Sequence, residues 1–258
     1  MVILYNVLRS FFLDNTLVEI NKVVLNLLGF FGFFSWDNNI GMGVWSIGNE
    51  LVFYALFPLL IFALHKSKFL YFSIYLSSFL VFLYFTFFKL TDVNDTYFWH
   101  NYTNPLNHFF YFTSGVTLGI AMKYEINTRA LFVVFICSAL FFVFWPVLGS
   151  EYNVAIGLNR VLFSISSIII SFFFLHQNIS YPVFLNRFFS FLGEISYSIY
   201  LLHPIVISTI TFFWYRYFNT GAQIDVILVC FSLILTIISS YISYRYFEKY
   251  FMKLAKKY

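Results

Sequence analysis

Val226-Ile227-Leu228-Val229-Cys230-Phe231-Ser232-Leu233-Ile234-Leu235-Thr236-Ile237-Ile238-Ser239 decides the fold class. This block carries no charge, and with its apolar flank it approaches the roughly 20 residues that a helix needs to cross the hydrocarbon of a bilayer. Inside lipid only α-helices and closed barrels satisfy their backbone hydrogen bonds. A barrel strand would alternate apolar with polar residues over roughly ten positions. Neither this block nor Phe132 to Val147 does so. The expected class is therefore all-α, a polytopic transmembrane helical bundle.

Composition agrees along the whole chain. Of 258 residues, 61% are hydrophobic, 25% aromatic and only 10% charged, against roughly 25% charged in a soluble domain. Seven spans are expected: Val44 to Leu64, Phe69 to Phe88, Asn107 to Met122, Ala130 to Leu148, Gly157 to Leu175, Ile195 to Tyr217 and Ile224 to Phe247. In front of them Val2 to Leu13 is interrupted by Asn6 and Arg9, and Val23 to Trp36 is short for a span and fits a short or interfacial helix, giving about seven or eight spans in all. The chain thus reads as one integral membrane domain over 1–258: a partial front end over 1–43, seven spans over 44–247 and a basic tail over 248–258. The intervening loops carry Asp, Asn, Pro and charge, as at Thr91 to Pro105 and Gln177 to Arg187, and none is long enough for a soluble domain.

Loop charges orient the bundle. Lys66, Lys68, Lys123, Arg129, Arg187, Arg245, Lys249, Lys253, Lys256 and Lys257 fall on one side, against Lys89, Arg160 and Arg216 on the other. The positive-inside rule then places the C-terminus in the cytoplasm. The net charge of +4 is accounted for by those loops and needs no nucleic-acid partner. Cys137 and Cys230 lie inside apolar runs and read as small buried hydrophobes. No His/Cys metal spacing, Walker loop or Gly-rich nucleotide fingerprint occurs.

Ionisable and polar groups inside membrane helices are costly and become functional candidates. Trp45-Ser46-Ile47-Gly48-Asn49-Glu50-Leu51-Val52-Phe53-Tyr54 places Ser46 and Glu50 one helical turn apart, with Asn49 beside them. Leu192-Gly193-Glu194-Ile195-Ser196-Tyr197-Ser198-Ile199-Tyr200-Leu201-Leu202-His203-Pro204 aligns Ser196, Tyr200 and His203 on one side, and Pro204 removes a backbone donor beside His203. Tyr244-Arg245-Tyr246-Phe247-Glu248-Lys249-Tyr250-Phe251 closes the last span. Its cations suit a cytoplasmic helix end against anionic headgroups, or a phosphorylated ligand.

In this order and at these distances, the three stretches resemble the membrane-bound acyltransferase 3 family, whose members O-acylate bacterial surface saccharides. Trp45 to Tyr54, continued by Phe57-Pro58, is similar to the family's Trp-Ser-hydrophobic-x-x-Glu-x-x-Phe-Tyr. Leu192 to Pro204 is similar to Gly-x-Ile-Ser-Tyr-Ser-x-Tyr-Leu-x-His, Tyr244 to Phe251 to Tyr-Arg-x-x-Glu-Lys-Pro-Phe with Tyr250 in place of Pro, and Phe110 to Gly119 to a Phe-x-x-Gly helix.

The resemblance implies a normally ten-helix fold in which Val44 to Leu64 takes the place of the fourth helix. The family's first-helix His and its Arg-x-x-Arg pair have no counterpart, and Arg9 has no Arg three residues away. The chain is expected to be an N-terminally truncated, split or degenerate member, inactive alone or completed by a second polypeptide. The implied reaction moves an acetyl group from acetyl-CoA to a sugar hydroxyl of a surface polysaccharide, at the bacterial inner membrane and without a metal. Its implied catalytic groups are His203 and Glu50, its substrate path Trp45, Ser46, Asn49, Tyr54, Ser196, Tyr197 and Tyr200, and its donor-binding cations Arg245 and Lys249. The competing expectation is a polytopic transporter or flippase for a lipid-linked saccharide, which paired broken helices would favour; no such pairing is seen.

Overall fold

The computed structural model describes residues 20–41, 43–124, 126–149, 151–176, 182–218 and 226–255. Val2 to Leu13, the 219–223 loop, Lys256 and Lys257 lie outside them. Among the described residues there is no strand. The helices are α1 (Ile20–Leu28), α2 (Phe31–Phe34), α3 (Trp45–Lys66), α4 (Lys68–Tyr84, continued by a π-helical turn, Phe85–Lys89), α5 (Phe98–Thr103), α6 (Pro105–Ala121), α7 (Thr128–Phe144), α8 (Gly157–His176), α9 (Val183–Phe218), α10 (Val226–Ser243, continued by a second π-helical turn, Tyr244–Glu248) and α11 (Lys249–Ala255).

Side-chain caps mark several starts. Ser67 accepts from the Phe69 amide, Asn104 from Leu106 with Pro105 at the first helical position, and Asn127 from Arg129 and Ala130. Each expected span has its helix. Val44–Lys66, Lys68–Lys89, Gly157–His176, Val183–Tyr217 and Val226–Leu254 are long and apolar enough to cross a membrane. α6 and α7 have 17 residues each, or about 26 Å at 1.5 Å per residue. The short front helix is present in two pieces, α1 and α2, broken at Gly29, whose φ of 72° is left-handed. The largest departure is α9, which begins at Val183 rather than Ile195 because Pro182 offers its carbonyl to the Asn186 amide and Gly193 does not stop the helix. Its 36 residues span about 54 Å, well beyond a hydrocarbon layer of about 30 Å.

Contacts divide the chain into two compact units, Met1–Leu27 with Asn39–Val44 and Ser180–Tyr258, and Leu28–Asn38 with Trp45–Ile179. In the first, α9 packs along α10. The buried face of α10 is Leu228, Ser232, Thr236 and Ser240, one residue per turn and mostly small, which lets two helices approach closely where burying apolar surface gains nothing over lipid. The Asn26 side chain accepts from the Ile40 amide at 2.9 Å and so fastens the 39–44 segment to α1.

In the second unit α4 and α6 interlock through alternating polar and aromatic rungs. Tyr71 bonds the Thr117 hydroxyl at 2.9 Å, Ser78 bonds Thr113 at 2.8 Å, and the Phe82 and Phe110 rings lie 5.0 Å apart. α7 and α8 meet through Phe135 stacked on Phe173 at 4.0 Å. Large apolar side chains such as Phe69 and Leu148 project outward, as lipid-facing surface does.

Two expectations are corrected. Cys137 and Cys230 are exposed on the outer faces of α7 and α10, since helical phase turns them away from their neighbours. Arg160, counted above as a loop charge, lies in the first turn of α8 and is 4% exposed. That position faces α6, so the side chain cannot reach out.

α2 crosses α3 with no room for side chains. A Cβ on Gly32 would lie 2.3 Å from the Gly48 carbonyl oxygen, whereas one on Gly115 of α6 would meet nothing within 4 Å. Gly32→Ala is therefore expected to destabilise the protein by about 1–3 kcal/mol, and Gly115→Ala to be tolerated. Thermal unfolding of the detergent-solubilised variants checks both.

Candidate functional site

In the first unit the second quoted stretch lies within α9. Ser196, Tyr197 and Tyr200 are exposed and His203 is half-buried, while Ile195 and Ser198 point inward. Ser196 donates to the Gly193 carbonyl at 2.9 Å. The Tyr200 hydroxyl reaches the Gly43 carbonyl at 3.4 Å, and its ring centroid lies 5.9 Å from that of His203.

Pro204 does not break the helix, yet it determines how His203 is held. In a helix the amide of residue 204 would donate to the Tyr200 carbonyl, and proline has no N–H. His203 Nδ1 takes that acceptor at 2.8 Å and also approaches the Ile199 carbonyl at 3.1 Å. A ring nitrogen facing carbonyls carries the proton, so Nδ1 is the donor and in the neutral ring Nε2 is left with its lone pair, the arrangement of a proton acceptor.

The closing stretch docks against this helix. Ser198 donates a short hydrogen bond to the Glu248 carboxylate, and the Tyr244 phenol interacts with Glu194. Both contacts come from the π-helical turn Tyr244–Glu248; such turns, with one residue more than an α-turn, recur at functional places. Arg245 donates to the Tyr241 hydroxyl at 2.9 Å, and the Lys249 ammonium lies 6.0 Å from the Tyr244 ring centroid. Arg245 and Lys249 are both exposed. Glu194 and Glu248 were visible inside the quoted stretches, but their partners are distant in sequence and nothing local marks the pairing.

In the second unit the polar face expected around Glu50 divides. Glu50 is exposed and interacts with the exposed Tyr54 hydroxyl one turn on. Asn49 is 2% exposed, and neither atom of its amide has a partner. It sits one turn from Trp45 and one from Phe53, and both of those pack on α6: Trp45 lies 5.0 Å from His108, and Phe53 is stacked on Phe112 at 5.2 Å. Trp45 also meets Tyr102 at 5.3 Å, so its role is to seat the start of α3, and Ser46 is half-buried beside it. Glu50 belongs to the second unit and His203 to the first.

Residues absent from the sequence-based candidates also meet here. Arg160, Asn107 and His108 form a polar knot where α6 and α8 begin. A depression of about 490 Å³ lies at the opposite end of these helices and includes Lys123 and His176. No group of His, Cys, Asp and Glu suited to a metal occurs among the described residues.

Residues 1–245 match the family model described as an acyltransferase domain. With its apolar helices the protein is thus a membrane acyltransferase. The chain belongs to the acyltransferase 3 family. No curated protein and no solved structure matches it.

Ser198 is 1% exposed, so removing its hydroxyl strands a half-buried carboxylate. Ser198→Ala is expected to cost about 1–3 kcal/mol of stability. A double-mutant cycle with Glu248→Gln should return a coupling of about 1–2 kcal/mol, and additive single effects would dissolve the link.

Proposed function

We propose that the chain transfers an acetyl group from acetyl-CoA to a hydroxyl of a bacterial surface saccharide, from an inner-membrane position with its C-terminus in the cytoplasm. The observation that carries this reading is the contact of His203 Nδ1 with the Tyr200 carbonyl at 2.8 Å, which makes Nδ1 the donor and, in the neutral ring, leaves Nε2 the acceptor. A sugar hydroxyl is a poor nucleophile until a base takes its proton. As the acceptor oxygen bonds to the acyl carbon and the carbon–sulfur bond breaks, His203 Nε2 takes the hydroxyl proton and returns it to the leaving thiolate. Ser196, Tyr197 and Tyr200 lie on or beside the same helix face and supply hydroxyls to the acceptor's path.

Acetyl-CoA supplies an activated acyl group and a phosphate-bearing handle. Arg245 and Lys249 are exposed cations next to tyrosine rings, and that donor set fits phosphates and a base. Glu50 carries a parallel proposal in its own unit, as a carboxylate held beside Tyr54, and Trp45, Ser46 and Asn49 support its helix. Membrane lipid and saccharide are the proposed partners.

His203→Ala is expected to lower acetyl transfer by a factor on the order of 10² to 10⁴. The assay follows labelled acetyl from acetyl-CoA into membrane saccharide at equal protein amounts, and an unchanged rate removes His203 from the reaction. Glu50→Gln is expected to lower the rate in the same assay.

A further inference from the structure

Charge is divided between the two ends of the second unit. The corner between α3 and α4 holds Lys66 and Lys68, and the turn between α6 and α7, with the first turn of α7, holds Lys123 and Arg129. These belong to one end, because Tyr71 at the start of α4 bonds Thr117 near the close of α6 at 2.9 Å. The sequence of these turns contains one carboxylate, Glu125, so its pairing with any of the four cations still leaves this end positive. Asp37, Asp92 and Asp95 lie at the other end, where Asp37 meets His100.

The depression of about 490 Å³ opens at the cationic end. Lys123, Tyr124 and Thr128 line it together with Met122 and with Leu175 and His176 at the close of α8. Its volume falls within the roughly 300–1,000 Å³ of small-molecule sites, and Met122, Lys123, Tyr124, Thr128 and Leu175 are exposed, so a ligand can enter from outside. The His176 ring rests against Phe172 with 5.7 Å between centroids. The lining has two characters: an ammonium, a hydroxyl and an imidazole stand beside the apolar side chains of Met122 and Leu175. Because α6 and α8 are spans that end here, the hollow lies where hydrocarbon gives way to headgroups.

The positive-inside rule accounts for lysines in these turns. It does not account for a lysine and a histidine sharing a hollow with apolar walls. A small soluble anion gains nothing from Met122 and Leu175, whereas a phospholipid brings a phosphate and an acyl chain together, and basic pockets between transmembrane helices hold such headgroups. We propose that the hollow between the α6–α7 turn and the end of α8 binds an anionic phospholipid, with Lys123, Thr128 and His176 on its phosphate and Met122 and Leu175 against the first part of an acyl chain. The site stands without the acyltransferase reaction; only its assignment to the cytoplasmic leaflet rests on the orientation given under Proposed function.

The test is thermal unfolding of the purified full chain in detergent, at constant ionic strength and constant total amphiphile, titrated with a short-chain phosphatidylglycerol. Phosphatidylcholine of the same chain length and soluble glycerol 1-phosphate are titrated in parallel. Wild type should show a saturable rise in midpoint with phosphatidylglycerol, the unfolding equilibrium constant falling about 100-fold at about 100 times the Kd, and a much smaller response to the other two. Lys123→Gln should raise that Kd about fivefold. His176→Phe keeps a ring against Phe172, removes the ring nitrogens and should raise it by a similar factor. Lys66→Gln removes the same charge from the same end but outside the hollow, and should change it much less. A flat wild-type titration, equal responses to phosphatidylglycerol and phosphatidylcholine, or equal losses in Lys123→Gln and Lys66→Gln overturn the site. An equal response to glycerol 1-phosphate at the same concentration overturns the lipid assignment and makes the ligand a soluble phosphate.

Discussion

Hydrocarbon offers no hydrogen-bond partner, and this constraint arranges the whole molecule. Small polar residues turn inward, where hydroxyls bond one another or the preceding turn, as Ser78 does with Thr113 and Thr86 with the Phe82 carbonyl. Many phenylalanines and leucines, Phe69 and Leu148 among them, turn outward. Polar groups left unmatched against this background stand out: the Asn49 amide and Arg160 Nη1 are two of them. Each has been removed from water without an equivalent replacement, which marks where helix packing alone does not explain the residue.

The stretches that mark the family divide between holding helices and remaining open. Gly48 leaves space for the α2 backbone, Asn49 is enclosed against α6, and Ser198 anchors Glu248. Glu50, Tyr54 and Tyr200 stay exposed in their units, and His203 is half-buried. The second and third stretches are thus parts of one contact surface, joined by Ser198 with Glu248 and Tyr244 with Glu194. Their joint presence in a sequence has a mechanical reason besides a chemical one.

The spans were legible because apolar length is a local property, and the family because its stretches are contiguous. The start of α9 was not, since Arg187 and Asn186 look like loop residues while Pro182 sets a helix start ahead of them. Arg160 looked like a boundary charge because a lone Arg near the start of an apolar run usually reaches water. Only the position of Asn107, 53 residues earlier in sequence, shows that it turns inward. Ser46, Asn49 and Glu50 are close in sequence, yet adjacent residues on a helix point about 100° apart, and burial separates Asn49 from Glu50.

The turn Tyr244–Glu248 has one more consequence. A π-turn advances the chain by an additional residue, so everything beyond it is rotated by about 100° relative to an uninterrupted α-helix. Lys249 and Lys253, four residues apart on α11, thereby share an azimuth set by the bulge and not by the apolar rhythm of α10. Straightening the bulge by deleting one residue would swing that basic stripe around the helix while leaving the composition of the segment almost intact.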